Sequence, residues 1–268
     1  MITNARPKEE RGSHFYTRDG QACYEVPKVK GGMRKTHVGD CRKMGLLPSP
    51  TTILSLLRKP QLEEWKMEQA ALAVLTSPRK EGESLDDFVY RVLHVDQEHN
   101  QERDAAADQG TAIHNAIQLS LEGLEYDHTY EPHVKAVRAQ IDQFGRAVKT
   151  ETILIGDAYA GRTDAILEND ETITVTDFKG CNKVPDKPYE EARMQCSAYA
   201  KALGNTGNKR VQTLIVYINR NIPGDVKAFL FYDVEWQLDY QKFELLTRYW
   251  YLANNVEWPI MESLEVCP

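Results

Sequence analysis

Between residues 151 and 178 the chain changes character, and no other feature restricts its fold as much. Residues 151–155, 158–167 and 172–178 are rich in Ile, Val, Thr and Tyr, with turn residues such as Asn169 and Asp170 between them. Runs of this kind read as three consecutive antiparallel strands. What precedes them is helical in spacing. Residues 48–60 predict a capped helix, with Ser49 or Thr51 as N-cap and Pro60 as terminator. Further helices are expected at about 61–75, 85–93, 100–121 and 133–148. After the third strand come a helix (189–203), two strands (211–219 and 226–233) and a last helix (236–254). The pattern predicts an α/β protein with a mixed central sheet flanked by helices and a helical N-terminal half wrapped around it.

A chain of 268 residues can enclose one large core. Residues 1–14 are polar and read as a disordered tail. Residues 15–100 read as a basic, irregular loop followed by helices, and 101–268 as the core, the two forming one continuous domain. No apolar run approaches the ~20 residues that cross a bilayer, so a cytoplasmic protein without a membrane partner is expected. Five scattered cysteines without a C-x-x-C pair argue against a disulfide framework and a structural zinc site. A formal charge of −7 disfavours a protein that coats nucleic acid, but not an enzyme that gathers its cations in one groove.

The second and third strands carry the chemistry. Asp164 lies on one and the run Asp177-Phe178-Lys179 ends the other. An acid-x-Lys triplet means little alone. With 40 acidic residues, chance gives roughly two or three. The other two matches have bland settings: Glu64-Trp65-Lys66 lies inside a helix, and Asp225-Val226-Lys227 follows the Pro223-Gly224 turn. Strand alternation puts Asp177 and Lys179 on one face and turns Phe178 into the core. A hairpin turning near Asn169 brings Asp164 towards Asp177. Two carboxylates so close repel, and a divalent cation removes the repulsion.

Three further features stand in order around that pair. Gly110-Thr111-Ala112-Ile113-His114 sets a histidine in a helix, and Gly161-Arg162-Thr163-Asp164 sets a glycine where a neighbour can approach closely. Gln195 and Tyr199 lie one helical turn apart just after the third strand. Together the four motifs, G-x-x-x-H, G-x-x-D, D-x-K and Q-x-x-x-Y, resemble the RecB-like branch of the PD-(D/E)XK nuclease superfamily over about residues 105–235. Upstream, the stretch from Pro48 to Leu54 and the helix bearing Trp65 resemble the N-terminal part of mitochondrial genome maintenance exonucleases and related phage proteins. Thr163 departs from the pattern, standing where the superfamily's name has proline.

The resemblance implies a restriction-endonuclease-like core and a metal-dependent deoxyribonuclease. By it, Asp164, Asp177, the backbone carbonyl of Phe178 and His114 hold Mg²⁺ or Mn²⁺, and Asp164, Asp177 and Lys179 are catalytic. Gln195 and Tyr199 brace the site or touch the DNA backbone, and Arg162, Arg34 and Lys35 are candidates for nucleic-acid contact. The basic stretch 28–43 is a candidate strap for the strand, with Tyr24 available for stacking. Iron–sulfur relatives carry three cysteines beyond the core, whereas only Cys267 lies there, which implies no cluster. The implied activity is an exonuclease preferring single-stranded DNA with a free end, in a bacterium or a phage-infected cell, with possible protein partners in replication, repair or recombination. A structure-selective endonuclease and a non-catalytic nucleic-acid-binding protein on the same fold are the rival readings.

Overall fold

The computed structural model describes residues 14–57, 60–94 and 98–259. The expected tail at 1–14 lies outside these residues except for His14, as does Cys267. The elements run β1 (Phe15–Tyr16), β2 (Glu25–Pro27), β3 (Met33–Lys35), α1 (Val38–Met44), β4 (Leu47–Pro48), α2 (Pro50–Leu54), α3 (Pro60–Thr76), α4 (Leu85–His94) and α5 (Glu98–Leu121). Then follow α6 (Glu131–Ile141), β5 (Arg146–Ile155), β6 (Ala160–Glu168), β7 (Thr172–Cys181), α7 (Glu190–Ala202), β8 (Arg210–Asn219), β9 (Val226–Phe231) and α8 (Asp233–Ala253). Two compact units result. One comprises the described residues up to Leu56 together with those from Ile113 onward, and the other the described residues of Leu57–Ala112. The boundary falls within the residues of α5.

The larger unit is mixed α/β, built on a five-stranded sheet in the order β5-β6-β7-β8-β9. Strands β5, β6 and β7 are antiparallel, β7 and β8 are parallel, and β9 returns antiparallel. A parallel pair needs a crossover, and α7 supplies it. Each sheet face carries its own core. On one, Ile113, Ala116 and Ile117 of α5 and Val134, Val137 and Ile141 of α6 cover Ala165, Leu167, Phe178, Leu214 and Val216. On the other, Ala192, Cys196, Tyr199 and Ala200 of α7 cover Ile166, Val175, Ile215 and Tyr217. The spacing of four, seven and eight along α7 is the helical stripe that seats it on the sheet. Trp236, Trp250 and Tyr251 of α8 are core residues, while Tyr249 is exposed.

The smaller unit holds α3, α4 and the first part of α5. Ala73, Phe88 and Val92 form its apolar cluster. Arg79 and Arg91 lie over the Phe88 ring at 5.9 and 5.6 Å, and Arg91 also grips Glu83.

Three expectations need correction. Residues 15–48 are not irregular: β2 and β3 form a hairpin, and α1 ends on Gly45 in the left-handed region. Glycines that break periodicity here close turns. Helix α2 has Ser49 as N-cap but ends at Leu54, well before Pro60. The Ser55 hydroxyl donates to the Thr52 carbonyl at 2.6 Å, offering the backbone a partner other than the next turn. The helix expected to reach 148 stops at Ile141, and β5 begins at Arg146. Gly145 makes the change of direction at φ +113, with the Glu168 carbonyl so close that a Cβ would collide with it. Among the described residues, no helix is long and apolar enough to cross a membrane.

Candidate functional site

The site arises where two strands of the sheet part. The β6–β7 ladder runs from Glu168↔Ile173 to Ala165↔Thr176 and stops. Yet β6 stays paired with β5 as far as Ala160, and β7 stays paired with β8 as far as Cys181. Asp164 and Asp177 are the first residues past the last shared pair. A parting ladder leaves buried N–H and C=O groups that need partners, and side chains provide them. The Thr163 hydroxyl donates to the Thr176 carbonyl at 3.2 Å, and Asp164 Oδ2 accepts the Phe178 N–H at 2.6 Å.

Asp164 and Asp177 are both buried, at 7% and 2% exposure. Lys179 Nζ lies 2.7 Å from Asp177 Oδ2 and donates to Gln195 Oε1 at 2.9 Å. The Gln195 amide nitrogen donates to Asp177 Oδ1 at 3.2 Å and to the Tyr199 hydroxyl at 2.9 Å. One side chain of α7 therefore fixes the acid, the lysine and the phenol together. Asp177 Oδ2 is fully buried and, although the ammonium is near, it has no hydrogen bond of good direction. Phe178 points to the opposite face, into the core beside α5, as alternation requires.

Burial raises the Asp177 pKa. The Lys179 charge opposes this, Asp164 adds to it by repulsion, and His114 opposes it. Burial would lower the Lys179 pKa, but the charges of Asp177 and Asp164 outweigh it and the net direction is upward. Lys179 thus stays an ammonium beside the two acids. Tyr199 is pushed well above the usual phenol range, first by burial and then by the Asp177 charge.

The other candidates fall as follows. His114 on α5 presents its ring edge-on to Phe178, with centroids 6.1 Å apart, and acts on Asp177 electrostatically. Among the described residues, no three His, Cys, Asp or Glu side chains are gathered so as to hold a metal ion as they stand. Gly161 is the close approach its spacing suggested, but the neighbours are protein: a Cβ would meet Pro50 at 2.7 Å and Tyr199 at 2.8 Å. Arg162 pairs loosely with Glu151, at 3.5 Å, and its buried Nε has no hydrogen-bond partner. Arg34 and Lys35 lie on β3. Arg34 is held by both carboxylate oxygens of Asp40, at 2.6 and 2.7 Å. Tyr24 is partly buried, packed on His14 and edge-on to Tyr16.

Sequence reasoning passed over two neighbours. Thr163 ties the fork, and nothing in its pattern marks a threonine for that purpose. Tyr217 sits opposite Lys179 in the parallel register, and its hydroxyl accepts the Tyr189 N–H at 3.0 Å. The alternation along β8 could have found it only with the β7–β8 register in hand.

No known protein family matches the chain, and no curated protein matches it. Among solved structures, that of a protein called SSO0001 is similar, with a TM-score of 0.31 and 16% identity over 69% of this chain and 85% of the other. A likeness at that score carries no argument about fold or function.

Proposed function

We propose that this chain is a metal-dependent deoxyribonuclease of the PD-(D/E)XK kind, in its RecB-like branch, acting as an exonuclease on single strands with a free end. The observation that supports it most is the parted β6–β7 edge, where buried Asp164 and Asp177 meet the Lys179 ammonium. A scaffold would have little use for two buried acids and one cation at a break in its own sheet, because uncompensated buried charge is costly.

The donor set fits a hard divalent cation. Two acids of which Asp164 raises the pKa of Asp177, whose own buried Oδ2 lacks a well-directed hydrogen bond, are stabilised by added positive charge. Asp164, Asp177 and the Phe178 carbonyl would hold Mg²⁺ or Mn²⁺, with His114 as a nitrogen donor that suits Mn²⁺. Such an ion, when bound, supplies Lewis-acid polarisation of the phosphodiester and activation of a water.

The protein's own groups do the positioning. Lys179 sets an ammonium beside the acid pair, where it can orient an attacking water and stabilise the negative charge that grows on the phosphoryl oxygens. Gln195 holds Lys179 and Asp177 in one geometry, and Tyr199 holds Gln195. The test compares linear and covalently closed circular single-stranded DNA of one sequence in Mg²⁺. Degradation of the linear strand alone fits the exonuclease. Equal cutting of both turns the reading to an endonuclease, and no cutting of either in Mg²⁺ or Mn²⁺ removes the nuclease.

A further inference from the structure

The β2–β3 hairpin lies in a basic stretch of an acidic chain and carries four of its cations, Lys28, Lys30, Arg34 and Lys35. Residues 14–48 contain seven Lys and Arg against three Asp and Glu, in a protein of net charge −7. Two of those three acids already face cations. Asp40 is taken by Arg34, and Glu25 stands across the hairpin from Lys35. Lys28 and Lys30 are exposed, with no carboxylate paired to either among the described residues. The tip between them is fixed: Lys28 N–H donates to the Gly32 carbonyl at 2.9 Å, Gly31 N–H donates to the Lys28 carbonyl at 3.1 Å, and both glycines have positive φ. Val29 at the apex is entirely exposed.

The hairpin is anchored beside the candidate site. Tyr24, one residue before β2, meets Tyr16 hydroxyl to hydroxyl at 3.0 Å. Tyr16 packs with Leu47 on Ala160, the first residue of the strand that carries Asp164. Tyr16 also acts electrostatically on Tyr199, the partner of Gln195. A cationic hairpin is thus anchored on the strand that carries Asp164, and it offers lysines without paired acids, among the described residues, to a polyanion.

We infer that this hairpin is a docking arm for the phosphate backbone of a single strand, gripping it through Lys28 and Lys30, and that it adds to binding and not to bond cleavage. The inference rests on the nuclease reading for the identity of the strand. Screened Coulomb attraction to phosphates acts at exposed positions and is lost with salt.

The test is Lys28→Ala with Lys30→Ala, measured by fluorescence anisotropy with an oligothymidylate in Ca²⁺, alongside turnover of a nucleoside 5′-(p-nitrophenyl) phosphate too short to reach the arm. The double variant should bind the oligonucleotide about tenfold more weakly at low salt. Its salt dependence should be shallower by roughly 1.4 in log–log slope, at about 0.7 for each phosphate no longer neutralised. Turnover of the short ester should not change. Unchanged affinity and slope overturn the inference while leaving cleavage by the wild type, and so the nuclease reading, intact. An equal loss on the short ester overturns it too, by moving the effect into the site. If the wild type binds through the arm but cuts nothing in Mg²⁺ or Mn²⁺, the nuclease reading falls and the arm stands.

Discussion

Asp164 Oδ2 accepts the backbone N–H of Phe178 at 2.6 Å, just beyond the point where their strands cease to pair. A carboxylate has thereby replaced a ladder bond, and it holds the main chain between Asp177 and Lys179 in place. A sheet edge opened in this way frees the second strand's backbone from the ladder without unfolding it, and leaves Lys179 partly exposed beside the buried acids. The consequence is a site whose geometry depends on residues that need not touch a substrate.

Thr163 is the simplest of these to test. It is fully buried and its hydroxyl caps the Thr176 carbonyl. Thr163→Val keeps the shape and orphans that carbonyl, so it should cost about 1–2 kcal/mol in urea unfolding. Cleavage should fall as well, because the fork loosens. If both stability and cleavage stay at the wild-type level, the carbonyl has another partner and the fork does not rely on Thr163.

Gln195→Leu removes the amide that joins Asp177, Lys179 and Tyr199. Turnover should drop by about 10- to 100-fold from misplaced groups, with the KM for DNA little changed. Tyr199→Phe deletes only the outer end of the chain and should fall between wild type and Gln195→Leu. A KM effect with normal turnover would mean that Gln195 touches the strand and does not brace the site.

Much of this is legible in the sequence alone. The switch to β-rich runs after residue 150, the pairing of Asp164 with Asp177, and the inward turn of Phe178 follow from alternation and turn chemistry. Residues 15–48 are not legible, because two strands of three residues and a seven-residue helix are too short to show a period. Nor is the break in the β6–β7 ladder. It depends on Thr163 and Asp164 giving their side chains to the neighbouring backbone, which no pattern of apolar residues encodes. Arg34 is a candidate for nucleic-acid contact in the sequence, and its grip on Asp40 six residues later is not legible there.

On the proposed metal-site reading, divalent ions bind the native acid pair and not the unfolded chain, and should stabilise the fold by mass action. Raising Mg²⁺ or Mn²⁺ should lift the Tm of the wild type and not that of Asp177→Asn. His114→Ala should shift the titration to higher Mn²⁺ and recover part of its activity there, and Ca²⁺ should permit DNA binding with little cleavage. An identical Tm response in wild type and Asp177→Asn would remove the acid pair as the ion's site.

In the smaller unit, Glu83 gives a pH signature. Its carboxyl is held at about 2, against an ordinary 4.5, first by the hydrogen bonds from Arg91 and then by the Lys80 N–H. The folded value is the lower one, so this stabilisation is complete above the ordinary value and is lost as pH falls from 4.5 towards about 2. Glu83→Gln should therefore exchange the α4 amides faster than wild type near neutrality, and the difference should close across that window. A difference that persists unchanged to the acid end would show that the charge on Glu83 contributes nothing.

If Asp177 and Lys179 belong to one phosphodiesterase site, single-turnover cleavage of a 5′-labelled linear single strand depends on both. Wild type, Asp177→Asn and Lys179→Ala are compared in Mg²⁺ and again in Mn²⁺, with circular dichroism to verify the fold of each. The wild type should degrade the strand, Asp177→Asn should leave it intact, and Lys179→Ala should cut at least about 10²-fold more slowly while still binding the metal. Cleavage by folded Asp177→Asn at the wild-type rate would take Asp177 out of the site, and a strand left whole by the wild type in both metals would take away the nuclease.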